Sequence, residues 1–395
     1  MGDEGFLTLA IGVRVSPEPE AVELLKRYRD ALNYAIKVVI ENKATSLSKA
    51  HKLLYNTLKN RFGLPSRIAQ DCYREAIVIV KSWLKNPRRG RIPRVKTLRM
   101  WLAHGYGYRI RNGFAEIIGG YRLRIIGWDK RYDQYESREA RLVYRNGKMF
   151  LMIAKRVPKP AKYAPRGVLA VDINEKHIVL GNTVFEKRVE TPIKRALHFK
   201  ILAENLMKKY SHGKYRAWTR KKVLERIRSF HRRARNILLD WARKTGLAIV
   251  REAMKNLYAV AREDLNGLIE SVRELPKSHR KKLILLSYNK LVYWIDWQAE
   301  KHGVPVITVD PRGTSSTCPR CGAKFRENGY RRLKCMKCGF EGDRDTIAIL
   351  NIERRALAKL QMGGALAPST APQMKDVAPN RCGEPMNPLK GTLAL

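Results

Sequence analysis

Four cysteines, Cys318, Cys321, Cys335 and Cys338, stand as two Cys-x-x-Cys pairs with thirteen residues between them. Each pair can offer two thiolates from one tight turn, and a tetrahedral zinc ion takes four, so the spacing predicts a structural zinc site. Asn328-Gly329 lies midway and reads as the hairpin turn that brings the pairs together. Two disulfides are the competing reading. Of the six cysteines, Cys72 and Cys382 would be left over, which suits a reduced protein better than a disulfide framework.

Three carboxylates form the second constellation. Asp172 ends the apolar run Val168–Val171, Glu252 ends Leu247–Arg251, and Asp345 opens a terminal helix expected from Asp345 to about Leu360. The first two runs read as buried strands, and an α/β sheet presents its crevice at strand ends. Three hard oxygen ligands without histidine suit Mg²⁺, and two such ions about 4 Å apart can drive in-line cleavage of a phosphodiester. Each acid also has a plain structural reading: a turn residue at Asp172, an ion-pair partner at Glu252, a helix-dipole partner at Asp345. Asp343 competes for the third place, but as an N-cap its oxygen would be taken by backbone amides. Asp345 shares a helical face with Ile349 and Ile352 and is the choice here.

The chain carries 80 Lys plus Arg against 36 Asp plus Glu, a net charge of +44 over 395 residues. Such an excess repels itself unless a polyanion shares the structure, and nucleic acid is the natural partner. Candidate phosphate contacts are Arg88, Arg89, Arg91 and Arg94 in a Pro/Gly-containing basic segment. Further candidates are Arg220, Arg228, Arg232 and Arg235, within a stretch from residue 208 to 244 that holds fourteen Lys or Arg against Glu225 and Asp240. Val223, Ile227, Phe230, Ala234, Ile237 and Trp241 recur there at helical spacing, one apolar stripe under a basic face. Charge alone also admits a ribosomal-type or purely RNA-binding protein, so it fixes the class of partner and leaves activity open. No apolar run is long enough to span a bilayer, and Phe6–Val13 follows acids rather than a basic segment, so a cytoplasmic, nucleoid-associated protein is expected. No phosphate-binding glycine motif occurs, which argues against nucleotide hydrolysis.

The elements that must position these groups fall into an α/β pattern. Phe6–Val15 alternates as a strand, helices are expected from about Pro19 to Val39, Leu47 to Leu58 and Pro65 to Leu84, and Tyr106–Val157 reads as strands with a hairpin at Asn146-Gly147. We expect a small β-barrel from residues 1–16 and 105–160 with a helical insert at 17–104. An α/β domain from 161–317 and 339–360 follows, interrupted by a zinc ribbon at 318–338, with a coil tail at 361–395. In the α/β part His177–Leu180 is expected to pair antiparallel with the Asp172 strand, and Val304–Asp310 to follow a helix from about His279 to His302.

The run Val309-Asp310-Pro311-Arg312-Gly313-Thr314-Ser315-Ser316-Thr317-Cys318-Pro319-Arg320-Cys321-Gly322, then Cys335 to Gly339, Asp343-Arg344-Asp345 and Asn351-Ile352, resembles the C-terminal signature of TnpB, the IS200/IS605 OrfB transposase-like proteins related to Cas12 and Fanzor nucleases. The resemblance is strong from 305 to 352 and weaker before 160. It implies an RNase H-like (RuvC) nuclease domain, a barrel wedge domain with a helical recognition insert, a guide RNA, a double-stranded DNA target and cleavage by two Mg²⁺ on Asp172, Glu252 and Asp345. This chain departs from the family pattern in two places. Asp345-Thr346-Ile347-Ala348-Ile349 stands where Asp-x-Asn-Ala-Ala is common, and Glu252-Ala253-Met254 where Glu-Asp-Leu is common. RNA-guided DNA cleavage is the expected function. A binding regulator without catalysis and a transposase performing strand transfer are the alternatives, which fold alone does not separate.

Overall fold

The computed structural model describes residues 5–87, 90–210, 217–264, 288–327, 329 and 331–361. Arg88, Arg89, Asn328, the start of the helix expected from His279, and the expected coil tail after Gln361 lie outside them. The described residues divide into two compact units, one running to Pro158 and one beginning at Lys159.

In the first unit β1 (Phe6–Val15) leads into α1 (Pro19–Glu41), α2 (Leu47–Asn60) and α3 (Ser66–Lys85). Six strands follow: β2 (Leu98–Leu102), β3 (Tyr108–Arg111), β4 (Phe114–Ile117), β5 (Tyr121–Ile126), β6 (Glu136–Arg145) and β7 (Lys148–Pro158). Strands before and after the helices join one seven-stranded sheet in the order β2-β6-β7-β1-β5-β4-β3. Its end strands β2 and β3 are consecutive in the chain, and an isolated bridge, His104–Tyr108, lies in the turn between them. β6 turns into β7 at Asn146-Gly147, whose φ values of 49° and 73° are those a two-residue primed turn requires. Helix spacing holds in α1, where Leu24, Leu25, Tyr28, Leu32, Ala35 and Val39 are all buried. The Tyr28 hydroxyl donates to Glu75 on α3 at 2.9 Å, and Arg99 on β2 pairs with the same carboxylate at 3.3 Å, so a buried acid is matched from two sides.

In the second unit β8 (Gly167–Ile173), β9 (His177–Gly181) and β10 (Glu186–Glu190) precede two helices, α4 (Ile193–Lys209) and α5 (Ala217–Asn256). Then come β11 (Tyr258–Glu263), α6 (Tyr288–His302) and β12 (Val306–Val309), three short strands β13 (Arg326–Glu327), β14 (Arg332–Lys334) and β15 (Glu341–Asp343), and α7 (Arg344–Gln361). The five-stranded sheet runs β10-β9-β8-β11-β12, antiparallel across β10, β9 and β8 and parallel across β8, β11 and β12. Strand alternation divides its side chains between two cores. Leu169, Val171 and Val260 pack with Ala242, Ile249 and Val250 of α5 and Leu291, Ile295 and Ala299 of α6. Val168, Ala170, Ala259 and Ala261 face the other way, onto Ile349, Ile352 and Ala356 of α7. No helix among the described residues is long and apolar enough to cross a membrane.

The strand expected at Leu247–Glu252 is not formed. Those residues continue α5, which runs unbroken for 40 residues to Asn256. Ala242, Ile249, Val250 and Ala253 are buried at helical spacing, so the apolar run is a helix face rather than a strand. Gly246 sits where a Cβ would come within 3.0 Å of the Trp294 backbone, and its missing side chain lets α5 and α6 cross closely. The strand begins at Tyr258, eleven residues after the expected start. Leu257, at φ 55°, links the helix end to β11.

One buried ion pair ties β11 to α6. Arg262 donates through Nε and a terminal nitrogen to Asp296 at 3.0 and 2.7 Å, with both side chains no more than 6% exposed. A bidentate pair of this kind offsets the desolvation of both charges, whereas one charge left alone does not. Asp296→Ala is therefore expected to destabilise the protein by roughly 3–5 kcal/mol in denaturant unfolding, and the double change Arg262→Met with Asp296→Leu to recover most of that loss.

Candidate active site

Asp172 and Glu263 owe their positions to strand parity. Asp172 continues the row Val168, Ala170 on β8, and Glu263 continues the row Ala259, Ala261 on β11, so both acids emerge on the face that α7 covers. The parallel register pairs Arg262 with Val171, which sets Glu263 beside Asp172 at the C-terminal ends of adjacent strands. Such strand ends are where open α/β sheets present reactive groups. α7 starts over the same end and brings Asp345, its second residue, with only 2% of its surface exposed.

Polar neighbours tie the acids together. Asn174 Nδ2 donates to Asp172 Oδ2 at 2.7 Å and reaches Asp345 Oδ1 at 3.4 Å. His177, the first residue of β9, sets Nε2 2.7 Å from Asp345 Oδ2. Arg331 pairs with Asp345 Oδ1, and Arg188 of β10 lies 3.7 Å from Asp345 Oδ2 and 3.2 Å from Asp343 Oδ1. Asp343 has a different job: its Oδ1 accepts the backbone N–H of Asp345 at 2.9 Å, as a helix N-cap does. Thr314 donates its hydroxyl to Glu263 Oε1 at 2.5 Å.

Electrostatics make this an unwelcoming place for unpaired negative charge. Burial pushes the Asp172 carboxyl above its ordinary range and Asp345 raises it further, while Asn174, His177 and Arg331 act in the opposite direction. Burial likewise raises Glu263, as does the charge of Asp172, against the Thr314 hydrogen bond and Arg355. Asp172 is thus set against Asp345 on one side and Glu263 on the other in a desolvated corner, the condition under which a cation is bound well. Hard carboxylate oxygens suit a divalent ion that keeps much of its own water. Their oxygens do not close into a tight cage: among the described residues only the four cysteines bring three or more ligand atoms within 4.8 Å of one another.

Glu252 lies outside this cluster. It sits on α5, half-buried, and its Oε1 accepts from Asn256 Nδ2 at 3.1 Å, one helical turn along. Glu263 stands at the strand end that Glu252 was expected to occupy. The Glu-Asp-Leu triplet was in the chain all along, as Glu263-Asp264-Leu265. Asn174 and Thr314 were also missed, because neither carries a pattern of its own.

The cysteines converge as their spacing predicts. Cys318 and Cys338 stand with sulfurs 3.5 Å apart, Cys321 and Cys335 3.4 Å apart. These distances exceed a disulfide's bond length of about 2 Å and are near the separation of about 3.8 Å expected for thiolates around one tetrahedral ion. The two knuckles are alike. Gly322 N–H donates to the Cys318 carbonyl and Gly339 N–H to that of Cys335, each at 2.9 Å, with φ at 73° and 72°. A side chain would strain both turns. Strands β13, β14 and β15 pair antiparallel and carry the chain from one knuckle past the other to Asp343.

Of the basic candidates, Arg220, Arg228, Arg232 and Arg235 are exposed on α5, the helix whose Ile227, Ala234 and Leu238 are buried. Arg91 and Arg94 are exposed in the segment before β2.

Comparison with known proteins follows these features. The family model of the Cas12f1-like TNB domain matches residues 288–352, which hold α6, β12, the cysteine cluster and the start of α7. A TnpB-like protein of Methanocaldococcus jannaschii is 29% identical over 210 residues, 51% of this chain and 73% of that protein. The CRISPR-associated endodeoxyribonuclease Cas12f1 of Sulfoacidibacillus thermotolerans is 37% identical over 75 residues, 17% of this chain and 18% of that protein. The fold is similar to that of the Cas12f1 chain in a cryo-EM structure of the Cas12f1-sgRNA-target DNA complex, with a TM-score of 0.58 at 16% identity over 84% of this chain and 81% of that one. Signature residues, fold and relatives agree, and the chain belongs to the TnpB/Cas12-related family.

Proposed function

We propose that this protein is an RNA-guided DNA endonuclease whose second unit is an RNase H-like, RuvC-type domain, with Asp172, Glu263 and Asp345 as the metal-binding carboxylates. The observation that carries this reading is the meeting of three buried or half-buried acids from β8, β11 and α7 at one sheet end, two of them side by side on parallel strands. Glu263 takes the role first expected of Glu252. When bound, a pair of Mg²⁺ ions would activate a water and stabilise the leaving oxygen during in-line cleavage of a phosphodiester. The chain's own part is to hold and orient. Asn174 keeps the Asp172 and Asp345 oxygens at fixed spacing, and His177 turns Asp345 toward the cluster.

The relatives supply the partner class. One is named an endodeoxyribonuclease, and the similar structure is a complex with single-guide RNA and target DNA. The +44 charge of this chain suits a polyanion of that kind, and the exposed arginines of α5 offer phosphate contacts. The cysteine cluster is read as a structural zinc site that stiffens the segment leading into α7.

A second reading, a guided binder without catalysis, is favoured by one observation: Arg331 pairs with Asp345 and Arg188 flanks it, so cations of the chain already offset that acid. Cleavage assays separate the two. With co-purified RNA and a matching duplex, Asp172→Ala, Glu263→Ala and Asp345→Ala are each expected to abolish Mg²⁺-dependent cutting while RNA is retained, and Glu252→Ala to cut within about threefold of wild type, a surface-type loss. Equal loss in Glu252→Ala and Glu263→Ala would reject the assignment of the second acid; a wild type that binds guide and target but never cuts would leave the binder reading. Joined rather than cut ends would mark strand transfer.

Two further outcomes follow. Metal analysis is expected to find one zinc per chain, lost with the ordered ribbon in Cys335→Ser. Replacing Arg228, Arg232 and Arg235 together by alanine should lower the slope of log affinity for RNA against log salt by up to about 3, close to one per phosphate contact removed.

A further inference from the structure

Thr314 lies four residues before Cys318 and is 3% exposed. Its hydroxyl oxygen stands 2.5 Å from Glu263 Oε1 and 3.0 Å from the Pro311 carbonyl. A hydroxyl has one proton to give. The carboxylate is both nearer and charged, and 2.5 Å is the length of a charge-assisted O–H···O⁻ bond, so the proton goes to Glu263. The threonine is itself held. Asn351 on α7, with no exposed surface, donates both protons of Nδ2, one to the Thr314 carbonyl and one to that of Thr317, each at 2.8 Å. Two facing carbonyls fix which end of the amide is nitrogen. Its Oδ1 is buried with no hydrogen-bond partner, a cost accepted only where the other end is needed. Thr317 closes the loop by donating its hydroxyl to Gly313 at 2.6 Å, and Cys318 follows directly.

We propose that Thr314 is the positioning residue for Glu263, and that Asn351 fastens Thr314 and the Cys318 knuckle into one unit, so that the cysteine cluster and the acidic cluster are built on a shared loop. The inference rests on the proposed metal-binding role of Glu263 and adds the residue that orients it. With Oε1 tied, the glutamate keeps one rotamer and cannot swing toward bulk water. The loop that ties it is the same one that enters the first Cys-x-x-Cys turn. Groups that hydrogen-bond a metal ligand set its orientation, and their removal weakens metal binding without removing a ligand.

The test uses the full-length protein with its co-purified RNA and Mn²⁺ as the probe ion, followed by electron paramagnetic resonance and calorimetry. Thr314→Val keeps the shape and loses the hydroxyl; Thr314→Ala does the same without a branched side chain, in case valine disturbs folding; Thr314→Ser keeps the hydroxyl. Mn²⁺ affinity is expected to fall by about tenfold or more in the valine and alanine variants and to stay within about twofold of wild type in serine, with zinc content at wild-type level throughout. In cleavage, the Mg²⁺ concentration for half-maximal rate should rise by the same factor, with the rate at saturating Mg²⁺ largely kept. Valine and alanine variants that bind Mn²⁺ as wild type does would overturn the inference alone, as would a serine variant no better than valine. A wild type that binds no more Mn²⁺ than Asp172→Ala would overturn the metal-site reading, and this inference with it.

Discussion

The acidic corner depends on placing like charges together inside a folded protein, which burial and mutual repulsion both oppose. Asp172, Glu263 and Asp345 come from three elements far apart in sequence, and each is delivered by packing that has nothing to do with charge. Small apolar residues, Ala170, Ala259 and Ala261, bring β8 and β11 close under α7, and Ile349 and Ile352 anchor that helix on them. The apolar contacts supply the free energy, and the acids stand at the margin of the core where its last row ends. Around them Asn174, His177, Thr314 and Arg331 are spaced so that each carboxylate is satisfied from at least one side. This open group of acids contrasts with the four cysteine sulfurs, which close around a common centre.

How much of this could be read from residues alone follows the locality of the signal. The cysteine quartet was legible because both knuckles are short, repeated patterns whose glycines, Gly322 and Gly339, occupy left-handed turns. The place of Asp172 was legible because four consecutive buried residues precede it on a central strand, and that of Asp345 because its helical face also carries Ile349 and Ile352. The second acid was not. Leu247-Ala248-Ile249-Val250 looks more like a strand than Tyr258-Ala259-Val260-Ala261 does, since β-branched and large residues draw the eye and alanine does not. What decided the matter was tertiary: α6 crosses α5 at Gly246, and that crossing requires a helix through Val250 and beyond. The Glu-Asp-Leu triplet at 263 was the missed clue, outweighed by a stronger hydrophobic pattern eleven residues earlier.

The same distinction runs through the first unit. Alternation in β1 and β7, the Asn146-Gly147 turn and the apolar stripe of α1 are local and were read directly. The order of seven strands is a property of the folded sheet. β1 lies between β7 and β5, partners more than a hundred residues away, and no periodicity in β1 names them.

Adjacent residues of β11 face opposite ways, Arg262 into a bidentate pair with Asp296 and Glu263 toward Asp172. A slip of the strand by a single residue would exchange them. A guanidinium would then arrive among the acids and a glutamate would be driven against a buried aspartate beneath α6, like charge on like charge in the interior. Neighbouring β-strands with plain apolar faces tolerate such errors more readily. The misthreaded sheet is thus costly on the α6 face, where two buried acids would meet with no cation between them.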